Sequence, residues 1–169
     1  TVTKGKSSTT EILNAILEEA GYKTALSNTI RFKIGEISSS NLHKMSMPGR
    51  FAIQRFLRNA VNKKCDYAIM EMTSQGVLLY RHRFIELNAF VFTNLSPEHI
   101  EAHGSYENYA DAKASICRTL AKSHKENKII VANADDPESR RFLECEADKK
   151  ILYSLSDVKP YAIKNEGIE

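Results

Sequence analysis

Hydrophobic residues recur along this chain with the periods of amphipathic helices and of buried strands. Apolar side chains at i, i+3 and i+4 spacing mark three predicted helices, which cover residues 9–20, 53–61 and 105–123. Short apolar runs mark three predicted strands, which cover residues 67–72, 89–95 and 128–132. Strands that alternate with helices are typical of an α/β domain. The pattern therefore predicts a mainly parallel sheet flanked by helices.

The first half of the chain also contains two segments without a clear period. Residues 24–32 are rich in β-forming side chains, and Gly21 ends the helix before them. Residues 36–50 are polar and irregular, with a run of serines and a Pro48-Gly49 turn. We predict a long loop there, and long loops in compact domains often carry function.

Composition narrows the class of protein. The 169 residues carry a net charge of +3 without a dense basic run, so we expect no nucleic-acid partner. The sequence shows no apolar segment long enough to cross a bilayer and no signal peptide. Cys65, Cys117 and Cys145 are odd in number and widely spaced, which indicates reduced thiols. We expect one cytoplasmic, monomeric domain over residues 1–169.

A phosphate-binding loop is predicted at the start of the chain. Gly5, Lys6 and Ser7 stand directly before the first predicted helix. A glycine there lets backbone N–H groups surround phosphate oxygens, the lysine reaches the β- and γ-phosphates, and the serine takes Mg²⁺. In the usual spacing of such a loop the first glycine would stand one residue before Thr1. We therefore expect the chain to begin inside a longer protein, after the strand that leads into the loop.

Polar side chains follow each of the three predicted strands. The segments in question are residues 71–74, 93–99 and 133–136. Because the carboxyl ends of parallel strands share one edge of a sheet, we expect these side chains to converge near the phosphate loop. The last segment also fits a simple turn that caps a helix, so taken alone it leaves both interpretations open.

Lys113 lies on or beside the apolar stripe of the third predicted helix. Tyr109, Ile116 and Cys117 stand at i−4, i+3 and i+4 from it. One interpretation is a lysine with a buried stem whose ammonium group reaches water. The other is a lysine directed into the site, where its amine reacts with CO₂.

His99 and His103 have the spacing, but not the sequence, of a zinc protease. The H-E-x-x-H motif needs a glutamate directly after the first histidine, whereas this chain has an isoleucine, and Gly104 directly follows His103. We expect His103 in a loop or at the start of a helix.

Five motifs in order resemble one family, the Mur ligases of bacterial cell-wall synthesis, in their central ATPase domain. The similar segments are the phosphate loop at 3–8, the strand ends at 71–76 and 92–99, the helix motif at 109–113 and the Asn-x-Asp-Asp-Pro at 133–137. Residues 73–76 followed by Arg81, with residues 103–109, are most similar to the branch that adds the third residue to UDP-MurNAc-dipeptide. The resemblance implies a P-loop NTPase-like fold that is incomplete at both ends.

What the resemblance implies is an ATP-dependent ligation. ATP phosphorylates a carboxylate of a UDP-MurNAc-peptide, and the amine of an amino acid attacks the acyl phosphate and releases phosphate. Such chemistry requires that the negative charges of the ATP phosphates and of the substrate carboxylate are neutralised. A lysine and Mg²⁺ can do this. ATP and Mg²⁺ are thus the implied cofactors, and a UDP-MurNAc-peptide and an amino acid are the implied partners.

The resemblance also assigns residues to roles. Implied ATP contacts are Thr3, Lys4, Gly5, Lys6, Ser7, Ser8, Asn94, Asn133 and Asp136. Implied substrate contacts are Ser46, Met47, Thr73, Ser74 and Arg81. Implied catalytic residues are Lys6, Glu71, His99 and Lys113. One Mg²⁺ would be held by Ser7 and Glu71, and a second by Glu71, His99 and a carbamate on Lys113, whose oxygens suit a hard cation.

Departures from the family pattern keep other functions open. The chain has Val2 for a glycine, Met47 for a threonine, Tyr80 for a histidine and Glu98 for an aspartate. The family's N-terminal UDP-binding domain and C-terminal ligase domain would lie outside the chain, so we expect no ligase turnover from it alone. The alternatives are a non-catalytic nucleotide-binding module, a folylpolyglutamate-synthetase-like ligase and, more distantly, a P-loop kinase or NTPase.

Overall fold

The computed structural model describes residues 4–42, 45–97, 100–158, 163–164 and 167–168. Its helices are α1 (Lys6–Glu19), α2 (Arg50–Asn62), α3 (Ser74–Leu78), α4 (Ile100–His103), α5 (Tyr106–Ala121) and α6 (Ser139–Leu143), with a 3₁₀ turn at Leu155–Val158. Its strands are β1 (Thr24–Ser27), β2 (Arg31–Ile34), β3 (Ile37–Ser40), β4 (Tyr67–Met70), β5 (Ala89–Phe92), β6 (Ile129–Asn133), β7 (Lys149–Tyr153), β8 (Ile163–Lys164) and β9 (Gly167–Ile168).

The strands form two main sheets and one short hairpin. The first sheet has the order β3-β2-β1-β4, with β1 and β4 parallel, and the second has the order β5-β6-β7, with both pairs parallel. The antiparallel pairs of the first sheet belong to β1, β2 and β3. Helices connect the parallel strands, so the predicted α/β fold is confirmed.

Part of the predicted loop at 36–50 is instead a strand. Ile34 of β2 and Ile37 of β3 are paired, so Gly35 and Glu36 form a two-residue hairpin turn, and Gly35 has a φ of +58°. Such a turn needs a left-handed backbone, which glycine adopts without strain. All four residues of β3 are exposed. Because neither face of this edge strand is buried, its sequence does not show the alternation of apolar and polar residues that would predict a strand.

The main core lies between the second sheet and α5. Phe92 and Phe142 are fully buried, and their ring centroids are 4.1 Å apart in a stacked arrangement. Ile116 and Leu120 of α5 are also fully buried in the same hydrophobic cluster. The apolar stripe that predicts the third helix is therefore the face that covers the sheet.

The buried face of α1 is polar. Thr10 and Asn14 are its buried residues, whereas Ile12 and Ile16 are each 60% exposed. Asn14 accepts a hydrogen bond at 2.7 Å from Thr24 of β1, which satisfies both groups in the interior. The apolar spacing thus predicted the helix correctly but indicated the wrong face for burial.

Two other features follow from the described residues. Within them, no helix is both long and apolar enough to cross a membrane.

Cys65, Cys117 and Cys145 are free thiols. The pKa of the Cys117 thiol is raised well above its usual value. Burial is the larger cause, and the neighbouring Cys145 is the smaller one.

Candidate active site

A cleft of about 360 Å³ opens where α1 begins and β4 ends. It is lined by Gly5, Lys6, Ser7, Ser8, Thr29, Ser46, Glu71 and Thr73. Gly5 directly precedes α1 with a φ of +81°, a left-handed conformation that lets the chain turn tightly into the helix. The first residues of α1 line the cleft, and the N-terminal end of a helix favours anions through its free N–H groups and its positive dipole end.

Glu71 is the carboxylate of this cleft, and it lies directly after β4 with 3% of its surface exposed. Ser7 Oγ donates to Oε2 and Ser46 Oγ donates to Oε1, each at 2.8 Å. The Thr29 main-chain N–H donates to Oε2 at 3.0 Å, and Thr29 Oγ1 lies 3.1 Å from Oε1. One carboxylate thus joins the phosphate loop, the turn after β1 and the segment before α2.

Thr29 is the residue of the cleft that the sequence prediction missed. It follows β1, whose four residues are all buried and which runs parallel to β4. The strand-end rule applied to the other segments would therefore have included it. The β-rich stretch 24–32 hid this strand end, because it contains β1, a turn and part of β2 without an obvious break.

Asn94 connects the end of β5 to the phosphate loop. Its Oδ1 accepts a hydrogen bond from the Lys4 N–H at 3.2 Å, and its Nδ2 donates to the Lys4 carbonyl at 3.1 Å. The side-chain amide thereby pairs with both main-chain groups of one residue, as a neighbouring strand would. The predicted convergence of Asn94 and the loop is present, and in this structure the Asn94 amide contacts the loop backbone.

The four candidate substrate residues near α3 have different environments. Thr73 caps α3, because its Oγ1 accepts from the Gly76 N–H at 3.1 Å, and Ser74 is buried at the first position of the helix. Met47 is only 1% exposed, and its Sδ lies 3.5 Å from the Thr73 nitrogen. Arg81 donates to the Met47 carbonyl. The Met47 side chain is thus a core residue here, and the segment around it is fastened to α3.

We expect Gly76→Ala to destabilise the protein by about 1–3 kcal/mol, because the core around Met47 is already full. A Cβ on Gly76 would lie 2.4 Å from Met47 Sδ and 3.1 Å from Met47 Cβ. Urea unfolding followed by circular dichroism measures the loss. The control is Gly49→Ala, where a Cβ meets nothing within 4 Å and the expected change is smaller than that of Gly76→Ala. Equal stability of the two variants would contradict the tight contact.

The residues predicted for the adenosine side link the ends of β5 and β6. Asn133 Nδ2 donates to the Thr93 carbonyl at 2.9 Å, and Asp136 Oδ2 accepts from the Leu95 N–H at 2.7 Å. Asp136 Oδ1 also accepts from the Glu138 N–H at 2.9 Å. Asn133 and Asp136 therefore hold the backbone of the rim at the β5 end, and their role toward adenosine stays a prediction.

Lys113 is a buried residue of α5, with 2% of its surface exposed. Its Nζ lies 4.4 Å from the centre of the Tyr109 ring, which attracts a cation through its π-face. The interpretation of Lys113 as a lysine whose ammonium group reaches water is therefore wrong. Its ammonium group lies inside the protein, a position that costs free energy unless the group is well paired or serves a function.

Three other candidate residues complete the comparison with the sequence. His103 ends α4 and is 8% exposed, with its ring 5.2 Å from the Tyr109 ring in an edge-to-face contact. Thr3 and His99 lie outside the described residues. Among the residues that the structure describes, no group of three or more His, Cys, Asp or Glu side chains has the arrangement of a metal site.

Comparison with known proteins agrees with the order of the motifs. A family model described as the Mur ligase middle domain matches residues 1–168. The chain belongs to this family. A diaminopimelate-adding UDP-N-acetylmuramoyl-L-alanyl-D-glutamate ligase from Syntrophomonas wolfei is 39% identical over 137 residues, which are 81% of this chain and 27% of the relative. A UDP-N-acetylmuramyl-tripeptide synthetase from Roseiflexus sp. is 39% identical over 153 residues, 85% of this chain and 30% of the relative.

A solved structure shares the fold of this Mur ligase middle domain. It is a UDP-N-acetylmuramoyl-L-alanyl-D-glutamate–2,6-diaminopimelate ligase, which matches 99% of this chain with a TM-score of 0.78 and 21% identity. The match covers 37% of that structure, and the two relatives above are covered to 27% and 30%. The chain thus spans roughly a third of the length of these ligases, and the family resemblance is confirmed.

Proposed function

We propose that this chain is the ATP-binding core of an ATP-dependent amide ligase in peptidoglycan precursor synthesis. The observation that carries the proposal is the contact between Ser7 of the phosphate loop and the buried Glu71 carboxylate, 2.8 Å apart in the cleft. Relatives that are named muramyl-peptide ligases support the substrate class. The proposed substrates are a UDP-MurNAc-dipeptide and the amino acid that becomes its third residue.

ATP phosphates would bind where α1 begins. The first residues of the helix line the cleft, so its free N–H groups are available to phosphate oxygens, and Lys6 adds a positive charge to the lining. Asn94 fixes the backbone of the loop at Lys4. This arrangement neutralises phosphate charge with groups that are already oriented, which is how phosphoryl transfer is promoted.

Ser7 and Glu71 fit a magnesium ion. Mg²⁺ takes oxygen ligands in an octahedron with bonds of about 2.1 Å, so adjacent ligand oxygens lie about 3 Å apart. Ser7 Oγ and Glu71 Oε2 are 2.8 Å apart, close to that value. When bound, the ion would supply charge neutralisation between the γ-phosphate and the substrate carboxylate. Ser7 and Glu71 would hold it, and Thr29 and Ser46 would hold Glu71.

We assign to Lys113 the role of a carbamylated lysine that helps to hold a second metal ion, as the family resemblance implies. The uncharged amine would add to CO₂ and lose a proton, which turns a buried cation into an anionic oxygen ligand. The burial of Lys113 supports this, because its side chain lies inside the protein rather than in water. His99 would contribute to the same ion, and both assignments rest on the family resemblance.

The test combines calorimetry and mass spectrometry on the wild-type chain. We expect ATP to bind in the presence of Mg²⁺, and binding to weaken when Mg²⁺ is chelated. In bicarbonate at neutral pH, peptide mass spectra should show the mass of one CO₂ on the segment that contains Lys113. Lys113→Arg is the matched control, because it keeps the charge and should show no adduct.

The two measurements separate the possible results. ATP binding together with the Lys113 adduct would support the ligase core. No ATP binding and an unmodified lysine would contradict the proposal and favour a module that has lost nucleotide chemistry. Val2, which stands where the family's loop has a glycine, would then be a reason for the loss.

A further inference from the structure

Two hydroxyl groups from different segments hold the Glu71 carboxylate. Thr29 belongs to the turn between β1 and β2, and Ser46 lies between β3 and α2. Their Oγ atoms are 2.6 Å apart, and they lie 3.1 Å and 2.8 Å from Glu71 Oε1. These three oxygens form a triangle of mutual hydrogen-bond contacts, and Thr29 Oγ1 also lies 3.2 Å from Oε2.

The number of protons limits how these contacts are filled. Each hydroxyl carries a single proton, so two protons serve four contacts. Only one proton can occupy the contact between the two hydroxyls, so at least one hydroxyl donates to the Glu71 carboxylate in every arrangement. Oε2 also faces Ser7, at 2.8 Å, and the Thr29 N–H, at 3.0 Å.

Hydrogen bonds of Asn28 hold the turn that carries Thr29. Asn28 is fully buried, and its Oδ1 accepts from the N–H groups of Ile30 and Arg31 at 2.9 Å and 2.8 Å. Its Nδ2 donates to Glu11 of α1 at 2.8 Å. These bonds fix the backbone on both sides of Thr29, so its N–H and its hydroxyl are presented to Glu71 in a set direction.

We propose that Thr29 is a positioning residue that aims Glu71 Oε2 at the phosphate loop and, through Ser46, ties the segment before α2 to the nucleotide side of the cleft. The inference rests on the proposed function, because it assumes that Glu71 binds a divalent cation beside Ser7. Thr29 acts through Glu71. Without its hydroxyl, the carboxylate loses a contact to each of its oxygens and is held less firmly, and ordering it again on cation binding lowers the affinity.

The test is the affinity of Mn²⁺ for the complex of the whole chain with adenylyl imidodiphosphate, measured by electron paramagnetic resonance. Thr29→Val keeps the shape and the main-chain N–H but removes the hydroxyl, and we expect a loss of about tenfold, as for a hydrogen bond to a charged group. Thr29→Ser restores the hydroxyl and should stay within about twofold of wild type. Thr119→Val, which removes a hydroxyl that bonds to Ser115 within α5, should have no effect.

Ser46→Ala provides a second route to the same conclusion if Thr29→Val folds poorly. We expect it to cost about threefold, since Thr29 still contacts both carboxylate oxygens, and we expect the double variant Thr29→Val/Ser46→Ala to be non-additive. Unchanged affinity in Thr29→Val, failure of Thr29→Ser to rescue, or simple additivity would each overturn the inference. A wild-type chain that binds no Mn²⁺–nucleotide would overturn it together with the proposed function, whereas normal wild-type binding without any Thr29 effect would overturn it alone.

Discussion

Replacing Lys6 by alanine is expected to weaken ATP–Mg²⁺ binding by about 100-fold, the equivalent of nearly 3 kcal/mol for a lost contact between charged groups. Lys6 lines the cleft beside Ser7 and Glu71, at the first position of α1. Its ammonium is the charge that would lie nearest the β- and γ-phosphates in a loop of this type. Titration calorimetry of wild type and variant gives the two affinities directly.

The matched control for that loss is Lys125→Ala. Lys125 is an exposed residue of the segment after α5, so its replacement changes the net charge of the chain equally but leaves the cleft intact. A purely long-range electrostatic effect would weaken ATP binding in both variants and would fade with added salt. Similar affinities for the two variants would therefore contradict a direct contact between Lys6 and the phosphates.

The sequence predicted those helices and strands in which one face is buried, because burial requires apolar residues at regular spacing. Strands β4, β5 and β6 and helix α5 each pack against the core, so their apolar spacing has a physical cause. The same logic located Glu71 and Asn94, because parallel strands deliver their carboxyl ends to one edge. These residues do meet the phosphate loop, through Ser7 and Lys4 respectively.

The parts that the sequence did not predict depend on partners far along the chain. Strand β3 is exposed on both faces and exists because it pairs with β2, which no local period records. Thr29 gains its importance from Glu71, which is 42 residues away in sequence. Met47 replaces a threonine of the family pattern, yet its burial against Gly76 follows from the position of α3.

Lys113 shows why a pattern can leave two interpretations open. A lysine on an apolar stripe has the same sequence signature whether its ammonium reaches water or stays inside the protein. The deciding fact is burial: Lys113 is 2% exposed, whereas the Tyr109 ring that lies 4.4 Å from its Nζ belongs to the same helix. Burial to this degree depends on the tertiary packing around α5, which a single sequence does not contain.

Phe142→Ala is expected to lower the free energy of unfolding by about 3–5 kcal/mol, the range for removing a buried aromatic side chain. Phe142 is fully buried, and its ring stacks on Phe92 at 4.1 Å and lies 5.6 Å from Phe90. It is the buried apolar residue of the five-residue helix α6. Urea unfolding monitored by circular dichroism measures the change.

Phe51→Ala is the control, because Phe51 is 88% exposed on α2 and its loss should change stability by no more than about 0.5 kcal/mol. A loss below about 1 kcal/mol in Phe142→Ala would mean that the second sheet closes the cavity by itself. The expected loss is a large share of the roughly 5–15 kcal/mol that holds a typical domain together. At temperatures where Phe142→Ala is folded, we expect its ATP affinity to stay near that of wild type, because the residues that line the cleft belong to elements other than α6.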